Sequence, residues 1–222
     1  WKESATAGFD ILTYTGNGIA GRTVSHNLSA VPHVIIQKIK SSTGNWLVYH
    51  HKNTSSPETD FLRLNTTDAT ADESTIWNDT APTSSVFSVG TESTINGDGN
   101  TFVAYLFSEK QGFSKFGTYT GNGNADGTFI YTGFKPAWVM GKASSRTENW
   151  YMFDNKRDPF NPGEQLLKAD ENSAEFDGSD IIDFTSTGFK LRSTNEKWNE
   201  NGTSYIFIAF AEAPLVNSKG VP

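Results

Sequence analysis

The sequence predicts an all-β protein built as two tandem, homologous β-sandwich units of the jelly-roll or lectin-like kind. Three observations predict it. Thr 25, Ser 22, Asn 18 and Gly 20 fill 85 of the 222 residues, a mix that suits strands and tight turns rather than long helices. Phe 16, Tyr 7 and Trp 6 supply enough apolar mass for packed cores. The chain also repeats itself: Thr13-Tyr14-Thr15-Gly16-Asn17-Gly18 returns as Thr118-Tyr119-Thr120-Gly121-Asn122-Gly123. Pro32, Lys38, Asn45 and Trp46 return as Pro136, Lys142, Asn149 and Trp150, and Thr101–Glu109 returns as Ser204–Glu212. A period near 100 residues means two copies of one unit.

The elements follow in order. Phe9–Thr15 reads as a strand ending in a Gly-Asn-Gly turn. His33–Lys40 is β-branched, with Val34, Ile36 and Lys38 on one face and Ile35, Gln37 and Ile39 on the other. Trp46–His50, Phe61–Leu64 and Val86–Gly90 are short strands, and Asn96-Gly97-Asp98-Gly99-Asn100 is a hairpin loop. Phe102–Phe107 is a nearly continuous apolar run, which expects cover on both faces. Val103, Tyr105, Ile206 and Ile208 are expected to line the cores, with Trp46 and Trp150 buried and Trp138 in the core position of Val34. Pro162–Ala169 has room for one or two helical turns. The expected layout is residues 1–7 as the end of a preceding unit or a linker, 8–111 and 112–215 as the two repeats, and 216–222 as a C-terminal tail.

Several function classes are excluded. Net charge is −7 and neither half is basic, so there is no electrostatic footprint for nucleic acid. No cysteine is present, which removes disulfides, thiolate zinc sites and cysteine nucleophiles. No run is long and apolar enough for a membrane span. Gly16–Gly21 spells G-x-G-x-x-G, but Arg22-Thr23-Val24-Ser25-His26 and then Pro32 follow where a dinucleotide site needs a helix. The Asn96–Asn100 loop lacks the Gly and Glu spacing of an EF-hand. His50 and His51 point to opposite faces of a strand and do not share a metal. Glu109 and Glu212 are repeat mates too far apart to act as a glycosidase pair. No nucleophile or metalloprotease motif occurs. The reading is of a chain that is not an enzyme, with no metal and no cofactor. Five N-x-S/T sequons, at Asn27, Asn53, Asn65, Asn78 and Asn201, carry no inference in a chain so rich in these residues.

The aromatics give the candidate site. Trp46 and Trp150, like Tyr14 and Tyr119, are kept by both copies and belong to the shared fold. Trp77 and Trp198 have no aromatic mate and are therefore expected on the surface, beside Asn78 and Asn199. An exposed indole next to amides can stack on a sugar ring and hydrogen-bond to it. Trp77, Trp198, Asn78 and Asn199 are the expected glycan or partner contacts.

These motifs resemble a family of tandem, roughly 100-residue β-rich modules in virion structural proteins, especially tail fibres, of marine phages. The resemblance rests on Gly112–Gly123, on Gly133-Phe134-Lys135-Pro136, on a hydrophobic strand ending in Lys142, on Asn149-Trp150 and on the closing strands Phe102–Glu109 and Tyr205–Glu212. The first copy departs at Ala30-Val31-Pro32, which lacks the Gly-Phe. The resemblance implies a virion location and carries over no catalytic residue. Trp1-Lys2-Glu3 resembles the end of a preceding unit, and the pattern ends after Glu212, so the piece is expected at the C-terminal tip of a longer fibre. The resulting expectation is a structural and adhesive fibre module presenting loops to a host-surface glycan or protein. It would pack with other virion subunits and could form a homotrimer. The alternatives are a capsid decoration or scaffold protein without a receptor role, and a polysaccharide-degrading enzyme.

Overall fold

The computed structural model describes residues 2–213; Trp1 and the tail expected at 216–222 lie outside the described residues. The chain is all-β with antiparallel sheets, and the three helices among the described residues are single turns. It divides into two compact units. Among the described residues, one comprises 2–65 with Thr70–Glu109; the other comprises Thr66–Ala69 and 110–213.

The first unit runs β1 (Phe9–Thr15), β2 (Arg22–Ser25), β3 (Val34–Ile39), β4 (Trp46–His50), β5 (Asp60–Arg63), β6 (Ala71–Asp72), α1 (Ser74–Trp77), β7 (Val86–Val89), α2 (Ser93–Asn96) and β8 (Thr101–Phe107). The second runs β9 (Ser114–Thr120), β10 (Phe129–Tyr131), β11 (Pro136–Ala143), β12 (Trp150–Asp154), β13 (Gly163–Lys168), β14 (Phe176–Thr185), β15 (Gly188–Leu191), α3 (Glu196–Asn199) and β16 (Ser204–Ala211).

The first unit has a sheet β1-β8-β3-β4-β5-β6 and a separate ribbon β2-β7. The second has one sheet, β9-β16-β11-β12-β13-β14-β15-β10. Element by element this is the same order, with one break. In the first unit α1 follows the two-residue β6, and the left-handed Asn78 (φ 57°) stops that helix, a conformation Asn tolerates better than most residues. In the second unit the ten-residue β14 continues past a register shift and the left-handed Asp180 (φ 48°), and pairs with both β13 and β15.

Each unit is packed as two layers. In the first, Val24, Phe87 and Val89 of the ribbon join Ile35, Leu47, Tyr49, Phe102 and Leu106 of the large sheet in one cluster. In the second, Ile130, Phe189 and Leu191 from one end of the strand order join Val139, Tyr151, Phe207 and Ala209 from the other. A single sheet with both ends in one core must fold over onto itself.

Several expectations are corrected. Pro162–Ala169 holds strand β13, not a helical turn. It is paired on one side with β12 and on the other with β14, and that pairing overrides the helix-friendly Glu-Gln-Leu-Leu. The core-facing residues of β8 are Phe102, Ala104 and Leu106, while Val103 and Tyr105 lie half-buried on the other face. Ile206 and Ile208 are buried, but outside the central cluster, to which β16 contributes Phe207 and Ala209. Trp150 is buried as expected; Trp46 and Trp138 are only half-buried, on the outer faces of their sheets.

Candidate functional site

Most polar residues shared by the two copies are consumed in building the unit. In Gly-Asn-Gly, a Cβ on Gly16 would lie 2.1 Å from the Gly97 carbonyl oxygen, and one on Gly121 lies 2.2 Å from that of Glu200. The second glycine of each copy, Gly18 or Gly123, has φ of +67° or +63°. The loop is clamped by a buried amide. Asn96 Nδ2 donates to the carbonyls of Gly90 (2.7 Å) and Ile19 (3.0 Å), and its Oδ1 accepts from Asn17 N (3.1 Å). Asn199 Nδ2 donates to the carbonyls of Ser193 (2.7 Å) and Asn124 (2.8 Å), and its Oδ1 accepts from Asn122 N (3.0 Å).

The tyrosines of Thr-Tyr-Thr complete the clamp. Tyr14 donates to the Ile95 carbonyl (2.7 Å) and Tyr119 to that of Trp198 (2.9 Å). Burial pushes both phenols above their ordinary range. The strand-end lysines turn back onto loop carbonyls: Lys38 onto Gly44 (2.9 Å), Lys142 onto Ala143 (2.8 Å) and Arg146 (3.2 Å). The Asn-Trp pairs are held alike. Asn65 accepts from Trp46 N and donates to Asn45, while Asp170 accepts from Trp150 N and from the Asn149 amide. Glu109 lies 3.8 Å from His51, and Glu212 pairs with Lys135 (2.9 Å) and Lys156 (3.3 Å).

The expected site residues are not a surface site. Trp77 is 3% exposed and Trp198 5%. Trp77 packs edge-on against Tyr49 and Phe87, and Trp198 against Tyr151 and Phe153. Each fills its own core from a different helix, which is why neither has a mate in the repeat. Asn199 is fully buried in the clamp. Asn78 is half-buried and caps α1, with its side chain on the Thr80 hydroxyl (3.1 Å).

Exposed aromatics occur elsewhere. Phe129 is 48% and Tyr131 66% exposed, on either side of the buried Ile130. Pairing sets the comparison with the first copy: Ile130 pairs with Phe189 as Val24 pairs with Phe87. Gly127 N donates to Leu191 as Gly21 N donates to Val89. Phe129 and Tyr131 therefore stand where the first unit has Thr23 and Ser25. Strand alternation in this short element, read against the other copy, could have found them.

These rings border a groove of about 430 Å³ between the two ends of the sheet, β9 and β10. Its lining includes Lys115, Gly117, Thr118 and Thr120 of β9, with Phe207 beneath. The edges are joined by Thr128 Oγ1 donating to the Thr120 carbonyl (2.9 Å). In the first unit the matching bond is Arg22 to Thr15, and a second tie runs from Asn27 N to Asp10 Oδ2 (2.7 Å). Lys115 stands in the place of Asp10, and an ammonium cannot accept that bond. Gly117 replaces Leu12, and any Cβ there would lie 2.7 Å from the Phe207 ring. The result is an open trough with two aromatic faces, threonine hydroxyls and a cation. Such a set can stack on ring faces and hydrogen-bond to hydroxyls. Among the described residues no cluster of three or more His, Asp or Glu is arranged to hold a metal ion.

The chain matches, over residues 2–214, the family described as Domain of unknown function (DUF7483), and it belongs to that family. No curated protein and no solved structure matches it.

Proposed function

We propose that the chain is a structural and adhesive module of a phage virion, a fibre segment that meets a host-surface glycan through the β9–β10 groove of its second unit. One observation carries the adhesive part: outward positions that are Thr23 and Ser25 in one copy are the exposed Phe129 and Tyr131 in the other, beside an open groove. Large exposed aromatics cost solubility and mark contact surfaces when they cluster. The resemblance to phage fibre modules supports the virion location. The decisive experiment is the double variant Phe129→Ala/Tyr131→Ala, assayed for adsorption to host cells and on a glycan array. Binding should fall at least tenfold, with a melting temperature within about 1 °C of the parent because neither ring is in the core.

The scaffold reading, a virion protein without a receptor role, is favoured by the burial of Trp77 and Trp198. It takes over if the double variant binds host cells as well as the parent. Immunogold labelling of intact particles tests both readings at once, since each requires the protein to be in the virion.

A further inference from the structure

We infer that the second unit has another ligand site, a cleft that takes one carboxylate-bearing sugar ring, a hexuronate residue of a polysaccharide. The cleft, of about 180 Å³, is lined by Tyr151 of β12, Leu166 and Lys168 of β13, the segment Ser173–Phe176 and Lys197 and Trp198 of α3. These are other residues than those of the groove, so the two sites are separable by mutation.

Comparison with the first copy shows how the space arises. Leu166 pairs with Phe176 as Phe61 pairs with Ala71, which fixes the equivalence. In the first unit α1 follows at once and packs on β5 and β7, putting Ile76 and Trp77 into the core. The second unit has no helix between β14 and β15. Its core tryptophan, Trp198, enters from α3 and stands 6.2 Å from Phe153, as Trp77 stands 6.1 Å from Tyr49. The ground above β13 that α1 covers in one copy is thus left open in the other. Around it Ala71 has become Phe176, Thr94 Lys197, Ile95 Trp198 and Leu47 Tyr151.

The chemistry of the lining selects the ligand. Phe176 is 48% exposed and offers a flat apolar face. The Lys197 ammonium lies 6.0 Å from the centre of that ring. Lys168 is paired with Glu171 (2.8 Å), and Glu175 with Arg157, which also holds Asp154. Lys197 takes part in none of the ion pairs formed among the described residues, so it is the cation of the lining that has no carboxylate partner of its own. Ser173 adds a hydroxyl. A pyranose has an apolar face for Phe176 and hydroxyls for Ser173, and its carboxylate would meet Lys197. The volume suits one ring, well below the roughly 300–1,000 Å³ of drug-sized sites.

The inference shares with the proposed function only the idea that the partner is a polysaccharide, and the test is run on the purified 222-residue chain without host cells. Methyl glucuronoside, methyl glucoside and N-acetylglutamate are titrated in turn and followed by amide chemical shifts and calorimetry. Methyl glucuronoside should bind and shift Tyr151, Ser173, Phe176 and Lys197. Methyl glucoside should bind at least tenfold more weakly, the scale of one charge-assisted hydrogen bond. Lys197→Met should lose at least tenfold and Lys197→Arg should restore most of it. Phe176→Ala should weaken binding too, without loss of fold, because the ring is half in solvent. Phe129→Ala/Tyr131→Ala should leave this binding unchanged, so a failed groove does not imitate a failed cleft. No binding at millimolar glucuronoside, equal binding of the neutral sugar, equal binding of N-acetylglutamate, or an indifferent Lys197→Met would each overturn the inference.

Discussion

Replacing Asn199 by Ala removes the centre of the second unit's loop clamp. The carboxamide is fully buried: its two N–H groups donate to the carbonyls of Ser193 and Asn124, and its oxygen accepts from Asn122 N. Alanine leaves two carbonyls and one N–H without partners. A stranded buried group costs roughly 1–3 kcal/mol, and relaxation or an entering water reduces it. The three groups are only partly buried, on the exposed Asn122 and Asn124 and the half-buried Ser193, so with the small cavity the loss is about 2–3 kcal/mol. For a unit near 100 residues, each kcal/mol moves the midpoint by roughly 4–8 °C, so the second unit should melt roughly 8 °C lower or more. Asp is a sharper probe. It keeps the bond from Asn122 N but turns two donors into acceptors facing carbonyls at 2.7 and 2.8 Å, and should destabilise at least as much. Urea unfolding followed by tryptophan fluorescence reads this directly, since Trp198 is the neighbouring residue. Asn201→Ala, in the exposed turn beyond α3, is the control and should stay within about 0.5 kcal/mol. A loss below about 1 kcal/mol for Asn199→Ala would show that the clamp is not what holds the Gly-Asn-Gly loop.

Asn96→Ala should do the same to the first unit and leave the second unit's transition in place, as two-step melting would show. Trp77→Ala and Trp198→Ala should each cost roughly 3–5 kcal/mol, the scale for emptying a core aromatic site, read by the same urea titration. Gly121→Ala should destabilise strongly, because its Cβ meets backbone at 2.2 Å, whereas Gly141→Ala has nothing nearer than 3.7 Å and should be mild. Lys142 sets a pH dependence. Burial lowers its pKa to about 8, against the opposing pull of Glu148 and Asp170. The unfolded chain therefore binds the extra proton between about pH 8 and the ordinary lysine value near 10.5. Stability should rise with pH across the lower part of that window, before tyrosines ionise, and Lys142→Met should flatten the rise.

The repeat was the most legible feature of the sequence, because matching residues mark what both units need to fold. Tyr14 with Tyr119, Lys38 with Lys142, and Asn45-Trp46 with Asn149-Trp150 all turn out to hold loops and strand ends. The phase of β8 and β16 was not legible. In a run such as Phe-Val-Ala-Tyr-Leu-Phe both faces are apolar, so alternation carries no information about which face meets the core. The strand order was also invisible, as was the α1 insertion that splits one sheet and leaves the other whole, since both depend on pairing between distant segments.

Trp77 and Trp198, which have no aromatic mates, are both buried. Lack of a mate does not put a tryptophan on the surface. Two copies with different small insertions must fill different gaps, and the largest side chain is the natural filler. Trp77 and Trp198 do that, one from α1 and one from α3. The informative difference is a change of polarity at an outward position whose neighbours keep their alternation, because the core then gains nothing from the change. Thr23 to Phe129 and Ser25 to Tyr131 meet that test around the conserved-in-kind Val24 and Ile130. Ala71 to Phe176 meets it too, since Phe176 remains 48% exposed while its cross-strand partner Leu166 is buried. Both changes fall in the second unit, so the proposed contacts lie in what that copy has added on its outside, while what the copies share builds the framework.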